Sequence, residues 1–129
     1  MATRAQGSFE VKLTPQSMAG LPDGLARMAL DKQFHGELEA TSKGEMLSAM
    51  SSVKGSAGYV AIERVSGTLA GKRGTFVLQH AGLMNRGAPT LSIVVVPDSG
   101  TGELVGLTGS MSIDIRDGHH FYALDYTMG

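Results

Sequence analysis

A glutamate and a histidine in neighbouring apolar runs are the residues best suited to chemistry in this sequence. Glu63 interrupts the apolar run that begins at Tyr59, and His80 follows Phe76 and Leu78 on one face of the next run. Inside an apolar cavity the two would form an acid and base pair, because burial raises the pKa of a carboxylate while a neighbouring charge shifts both groups. We therefore predict Glu63 and His80 as a catalytic pair. The alternative is a structural ion pair that only satisfies buried polar groups.

The segment between these two runs decides whether they meet. Residues 70–74, Ala-Gly-Lys-Arg-Gly, are rich in turn formers and predict a hairpin. A turn centred near the third of them places Glu63 opposite Ala81, so that His80 lies one diagonal step away. Arg64 must face the other side of its strand from Glu63, and the pattern leaves open which of the two charges faces the interior.

Aromatic residues supply the expected contacts to a small molecule. His120, Tyr122 and Tyr126 share one face of the last apolar run. If this face is internal, two phenol hydroxyls enter the interior as hydrogen-bond donors; otherwise the rings plug one end of the fold by packing on Met28 and Phe34. The predicted ligand-binding residues are Tyr59, Arg64, Phe76, Leu78, His120, Tyr122 and Tyr126.

The spacing of the histidines does not support a metal site. His119 and His120 are adjacent in a predicted strand and face opposite sides, and no His-x-His pair places two imidazoles together. The glycine-rich segment from Pro97 to Gly102 lacks the lysine and the following helix of a phosphate-binding loop, which predicts a plain loop between strands. We therefore expect no metal and no cofactor.

Strands must position these residues, because apolar and polar residues alternate along most of the chain. The even positions from Met28 to Ala40, Lys32 among them, form one face of a single long predicted strand, with a bulge expected at Gly36. Asp117-Gly118 is the strongest two-residue hairpin signal. The segment 45–52 would also suit a short helix. The predicted strands cover residues 7–13, 27–40, 45–52, 58–69, 75–80, 91–96, 105–115 and 119–127.

About eight strands without a helix to cover them predict an all-β fold, a closed antiparallel barrel. Closure removes the exposed edges that an open sheet would present, and a β-sandwich is the main alternative. A barrel of this size either fills with side chains or holds one small ligand. At 129 residues the chain has room for one domain, residues 1–129, in which we expect residues 1–6 to be flexible.

Composition narrows the partners and the compartment. Lysine and arginine number 11 against 12 aspartates and glutamates, so no basic stripe exists and we expect neither nucleic acid nor membrane as a partner. The absence of cysteine excludes disulfides and thiolate chemistry and favours a reducing cytoplasm. No apolar run approaches the roughly 18 residues of a membrane span, and the first residues lack the apolar core of a signal peptide.

Five stretches of the sequence form a recognisable set of motifs: Lys32-Gln33-Phe34-His35-Gly36, the stretch from Gly58 to Val65, the stretch from Thr75 to His80, the stretch from Val95 to Leu104, and the stretch from His120 to Tyr126. Together they resemble a bacterial family catalogued as domain of unknown function 3224. The resemblance implies a barrel similar to allene oxide cyclase, a fold shared with cyclases, isomerases and dirigent-type proteins that steer reactive intermediates inside an apolar cavity. It implies no particular reaction, since one barrel hosts unrelated functions.

Two functions from different classes fit these observations. The first is a barrel that binds one small apolar or aromatic molecule in its interior. The second is a metal-free enzyme of the isomerase or cyclase type, in which Glu63 and His80 move a proton. A purely structural domain that forms homo-oligomers is a third reading, and the sequence does not identify the ligand.

Overall fold

Eight antiparallel strands run up and down in chain order, and the sheet closes where β1 pairs with β8. The computed structural model describes residues 2–129. The predicted closed barrel is confirmed. The elements are β1 (Thr3–Pro15), β2 (Leu25–Gly36), β3 (Leu38–Met50), β4 (Ala57–Leu69), β5 (Lys72–Asn85), β6 (Ala88–Val95), a 3₁₀ turn (Gly102–Leu104), β7 (Leu107–Arg116) and β8 (His119–Met128).

One sequence prediction near the first hairpins is wrong. The single strand expected over 27–40 is two strands, because Gly36 takes a φ of 112° and the chain reverses at Glu37 instead of forming a bulge. The segment 45–52 was predicted as a strand that would also suit a short helix, and the strand is confirmed as far as Met50, the end of β3. At the start of the chain, Thr3 begins a strand that pairs with Tyr126 of β8; Met1 lies outside the described residues.

The β4–β5 hairpin fixes the register on which the candidate site depends. Its turn is only Ala70 and Gly71, whose φ angles of 49° and 84° are those of a two-residue turn that follows the twist of the strands. Glu63 therefore stands opposite Leu78, not opposite Ala81 as predicted. The turn is shorter than expected because Lys72 already belongs to β5. The predicted Asp117-Gly118 turn is confirmed, with φ angles of 51° and 78°.

One end of the barrel is closed by its longest loop. The segment between β6 and β7 runs along the edge of β5, where the Thr101 amide donates to the Thr75 carbonyl at 2.8 Å. The side chain of Leu104 in the 3₁₀ turn is buried beneath it. The core of this half consists of large apolar side chains in mutual contact: Phe34, Leu38, Leu69, Phe76, Leu78, Leu104, Leu107 and Leu124.

The opposite end is open and apolar, and a buried charged layer separates it from the core. Lys32, Glu63 and His80 lie in this layer. Exposed apolar side chains such as Met50, Leu83 and Leu91 lie beyond it, where β3, β4, β5 and β6 project. Among residues 2–129, no helix has the length and apolar character to cross a membrane.

Candidate functional site

The alternation of β4 turns Glu63 into the barrel and Arg64 out of it. Glu63 has no exposed surface, and Ala61 and Val65 on either side of it are buried in the same way. Arg64 is exposed on the outer face. The choice that the sequence left open is thereby settled in favour of Glu63, and the prediction of Arg64 as an interior ligand contact is wrong because successive side chains of a strand face opposite sides.

Three donors surround the Glu63 carboxylate. Lys32 Nζ donates to Oε2 at 2.8 Å, and Ser42 Oγ donates to Oε1 at 2.5 Å. His80 Nε2 makes a further hydrogen bond to Oε2. The predicted contact between Glu63 and His80 is therefore confirmed, and it follows the predicted diagonal path, since His80 is two residues beyond the partner of Glu63 on β5.

Lys32 reaches Glu63 from two strands away. It lies on β2, its neighbour across β2–β3 is Ser42, and its ammonium group crosses the inner face of β3. The opposite position to Glu63 on β3 is Gly44, where a Cβ atom would lie 1.9 Å from the Ile62 carbonyl oxygen. The ammonium group also lies 5.1 Å from the ring centroid of Phe9, a distance at which a cation is attracted by the face of the ring.

These contacts keep the carboxylate ionised although it is buried. Burial alone would raise the pKa of Glu63, but the hydrogen bond from His80, the charge of Lys32 and the hydrogen bonds from Lys32 and Ser42 outweigh it. The pKa falls from 4.5 to about 2. Because Lys32 balances the charge of Glu63, the buried layer holds an ion pair and not an isolated ion.

The hydrogen bond to Glu63 fixes the tautomer of His80. An ionised carboxylate only accepts hydrogen bonds, so His80 Nε2 must carry a proton. In the neutral imidazole, Nδ1 is then an acceptor, and the Tyr59 hydroxyl lies 3.4 Å from it. Burial, followed by the charge of Glu63, raises the pKa of Tyr59, which keeps its phenol protonated. The result is a chain of hydrogen bonds from Tyr59 through His80 to Glu63.

Tyr59 is the end of this chain that meets the open cavity. Lys32, Ser42, Glu63 and His80 are all buried, whereas Tyr59 is only partly buried. We call the open end of the barrel the mouth: a cavity of about 420 Å³ lined by Met46, Ser48, Ala49, Met50, Ala57, Gly58, Tyr59, Gly82, Leu83, Met84, Pro89, Thr90 and Leu91.

Gly82 creates the room that the Tyr59 ring occupies. The two residues are directly paired across β4 and β5. A Cβ atom at position 82 would lie 2.4 Å from Cε1 of Tyr59, closer than any real contact. The ring therefore lies over the bare backbone of β5, which holds its hydroxyl toward His80.

The remaining predicted ligand contacts do not converge on the mouth. Phe76 and Leu78 are buried in the core of the closed half. The Tyr122 hydroxyl accepts from the Leu38 amide at 2.9 Å and lies 3.0 Å from the His35 carbonyl, so it ties β8 to the β2–β3 turn.

The aromatic cluster of β8 resembles the plug that the sequence offered as an alternative. Tyr122 packs edge-on against Phe34 with ring centroids 5.5 Å apart, and Tyr126 is buried in the same core. His120 packs on Phe9 at 5.1 Å, on the far side of the barrel from β5.

The histidines do not converge on one site. His80 is inside the barrel, whereas His35 is on the outer surface, where Glu10 and Glu39 flank it. The hydrogen bond that His35 donates to Glu10 is the main cause that raises the pKa of His35. Within residues 2–129, no three histidine, aspartate or glutamate side chains come together in an arrangement that could hold a metal ion.

The sequence did not predict Lys32 or Ser42 as part of the site, nor the place of Tyr59 in the chain of hydrogen bonds. The only signal for Lys32 is its even position among Met28, Leu30 and Phe34, which places a charge on an apolar face. Its partner could not be found by pattern because it lies two strands away, and the register of both hairpins is needed to find it.

Comparison with known proteins agrees with the fold. A family model described as "Protein of unknown function (DUF3224)" matches residues 5–126. A solved structure of a protein of unknown function from the DUF3224 family of Shewanella oneidensis MR-1 is 55% identical and superimposes with a TM-score of 0.95. That match covers 100% of this chain and 98% of the other. No curated protein matches this chain.

Proposed function

Since the chain belongs to the DUF3224 family, whose name carries no activity, we propose from its geometry that it binds one small, largely apolar molecule in the mouth of the barrel. The observation that carries the proposal is the division of the interior. The closed half is filled with side chains, while the mouth leaves about 420 Å³ above the charged layer. Pockets for small ligands have volumes of about 300–1,000 Å³ and combine apolar walls with a few placed polar groups.

The lining of the mouth suits such a ligand. Met46, Met50 and Met84 supply flexible, polarizable side chains that adapt to different shapes. Leu83 and Leu91 are exposed apolar residues at its rim. The ligand would cover apolar surface that is open to water in the free protein. Each Å² of apolar surface so buried contributes roughly 25 cal/mol to the free energy of binding.

A variant that fills the mouth tests the proposal. Ser48 faces the mouth, and Ser48→Trp should abolish binding of a neutral apolar probe, 2-methoxynaphthalene, by occupying its place. Thr41→Trp is the matched control, because Thr41 lies on the outer face of the same strand and the indole would point into water. Binding is followed by the fluorescence of the probe. Absence of binding to the unmodified protein, or equal binding to both variants, would contradict the proposal.

A second candidate function is proton transfer on the bound molecule, as in an isomerase. It is favoured by the hydrogen bonds that join Tyr59, His80 and Glu63. In this reaction the Tyr59 oxygen takes a proton from the carbon next to a carbonyl group while the phenol proton passes to His80 Nδ1. Reversal of the two transfers returns a proton to the substrate, and the Glu63 carboxylate stabilises the intermediate imidazolium.

Hydrogen exchange measures this activity without a known substrate. An apolar ketone, 2-tetralone, is dissolved in deuterated water, and deuterium uptake beside its carbonyl is followed by NMR. His80→Gln can still donate to Glu63 but has no basic nitrogen, so it should slow the exchange by about 100-fold. His35→Gln makes the same change on the outer surface and should have no effect. Exchange that is no faster with the protein than without it would exclude the reaction for this ketone.

A further inference from the structure

We propose that the mouth selects apolar molecules that carry a hydrogen-bond donor, such as a phenol or an alcohol, over molecules of the same shape that carry only an acceptor. The inference rests on the proposed function and names the ligand class of the same site. It follows from the direction of the hydrogen bonds in the charged layer. These hydrogen bonds run from Lys32 at the inner end to Tyr59 at the mouth.

The groups inside the barrel fix which atoms donate and which accept in these hydrogen bonds. Lys32 Nζ and Ser42 Oγ can only donate to the Glu63 carboxylate in this arrangement, and His80 Nε2 must donate to it as well. In a neutral imidazole whose Nε2 donates, the other ring nitrogen carries the lone pair. His80 Nδ1 is therefore left with its lone pair toward the Tyr59 hydroxyl, 3.4 Å away.

This arrangement uses the Tyr59 proton and leaves its oxygen free to accept. The phenol donates inward to His80, so its remaining lone pairs are what the partly buried ring offers to the mouth. Ser48 is the other polar side chain near this position, and its hydroxyl can turn to either role. A ligand hydroxyl can donate to Tyr59, whereas a ligand carbonyl would face an oxygen lone pair unless the whole chain of hydrogen bonds reversed.

A matched set of naphthalenes distinguishes the classes. 2-Naphthol carries a donor, 2-methoxynaphthalene is its methyl ether without one, and 2-acetylnaphthalene carries only an acceptor. We expect 2-naphthol to bind about five- to tenfold more tightly than 2-methoxynaphthalene, the gain of one hydrogen bond. We expect 2-acetylnaphthalene to bind more weakly than 2-naphthol, because Tyr59 offers it only oxygen lone pairs. In Tyr59→Phe the preference for 2-naphthol should disappear while the affinity for 2-methoxynaphthalene stays, and Tyr126→Phe, a phenol of the core outside the mouth, should keep the preference.

The outcomes separate this inference from the proposed function. Equal binding of 2-naphthol and 2-methoxynaphthalene by the unmodified protein would overturn the donor preference and leave the binding function standing. Tighter binding of 2-acetylnaphthalene than of 2-naphthol would overturn it as well. Failure of all three probes to bind would overturn both. The comparison within the unmodified protein decides the matter even if Tyr59→Phe does not fold.

Discussion

Replacement of Glu63 by glutamine should destabilise the barrel strongly, since among residues 2–129 it removes the one carboxylate that pairs with Lys32. The glutamine amide has one acceptor oxygen for the three donors Lys32, Ser42 and His80. The buried ammonium group of Lys32 is then left without a negative charge beside it. Breaking a buried ion pair in this way costs about 3–5 kcal/mol. At roughly 4 °C per kcal/mol for a chain of this length, the midpoint of thermal unfolding should fall by about 12–20 °C.

The measurement is urea unfolding followed by circular dichroism, with two companion variants. Glu45→Gln makes the same change on the outer face, where Glu45 pairs with Arg27 in water, and should alter stability by less than about 1 kcal/mol. Lys32→Met added to Glu63→Gln removes the stranded charge, so the double variant should be more stable than Glu63→Gln alone. A loss below about 1 kcal/mol in Glu63→Gln, or no recovery in the double variant, would refute the reasoning.

Acid should erase the difference between Glu63→Gln and the unmodified protein. The pKa of Glu63 is lowered in the folded state, from 4.5 to about 2, so its stabilisation is present above pH 4.5 and is lost as the pH falls toward 2. A shift of this size corresponds to about 3 kcal/mol, of the same order as the cost of stranding Lys32. A gap between the two unfolding free energies that stays constant from neutral pH to pH 3 would show that Glu63 is not the titrating group.

Three further predictions concern separate parts of the molecule. Tyr122→Phe should cost about 1–3 kcal/mol in urea unfolding, because the buried Leu38 amide loses its acceptor; a change within error would contradict this. Gly82→Ala should displace the Tyr59 ring and remove the preference for 2-naphthol, whereas an intact preference would show that the ring has another way to reach His80. Neither duplex DNA nor anionic vesicles should bind at physiological salt, since 11 basic residues are balanced by 12 acidic ones; a salt-sensitive association in a sedimentation assay would overturn that expectation.

Alternation was sufficient to predict the strands but not all of their ends. The inward direction of Glu63 could not be predicted from the pattern, because Val60 and Ile62 make the face of Arg64 apolar as well. The break at Glu37 was not readable, because the apolar alternation continues through both strands and only the positive φ of Gly36 reverses the chain. The reversal at Glu37 consequently divides one predicted strand into two without changing which side chains face inward.

The pair of Glu63 and His80 could be predicted because one hairpin joins their strands, and a register error of a few residues still left them neighbours. Lys32 required the registers of two further hairpins and the length of its own side chain. Tyr59 was predicted as a ligand contact, but its role as the outer end of the chain depends on the missing side chain of Gly82. Contacts between strands joined by one hairpin can therefore be predicted from this sequence, whereas contacts that cross several strands cannot.

The charged layer itself argues for a site, because packing does not require it. The same strands fill the closed half of the barrel with apolar side chains and leave no buried side-chain polar atom unsatisfied in residues 2–129. A buried ion pair is often no more stable than apolar residues of similar volume. Leucines in place of Lys32 and Glu63 could therefore give the barrel a similar stability. What leucines could not do is hold His80 in one tautomer beneath Tyr59. A network whose inner end is fully paired and whose outer end opens on an apolar mouth has the arrangement that ligand recognition needs.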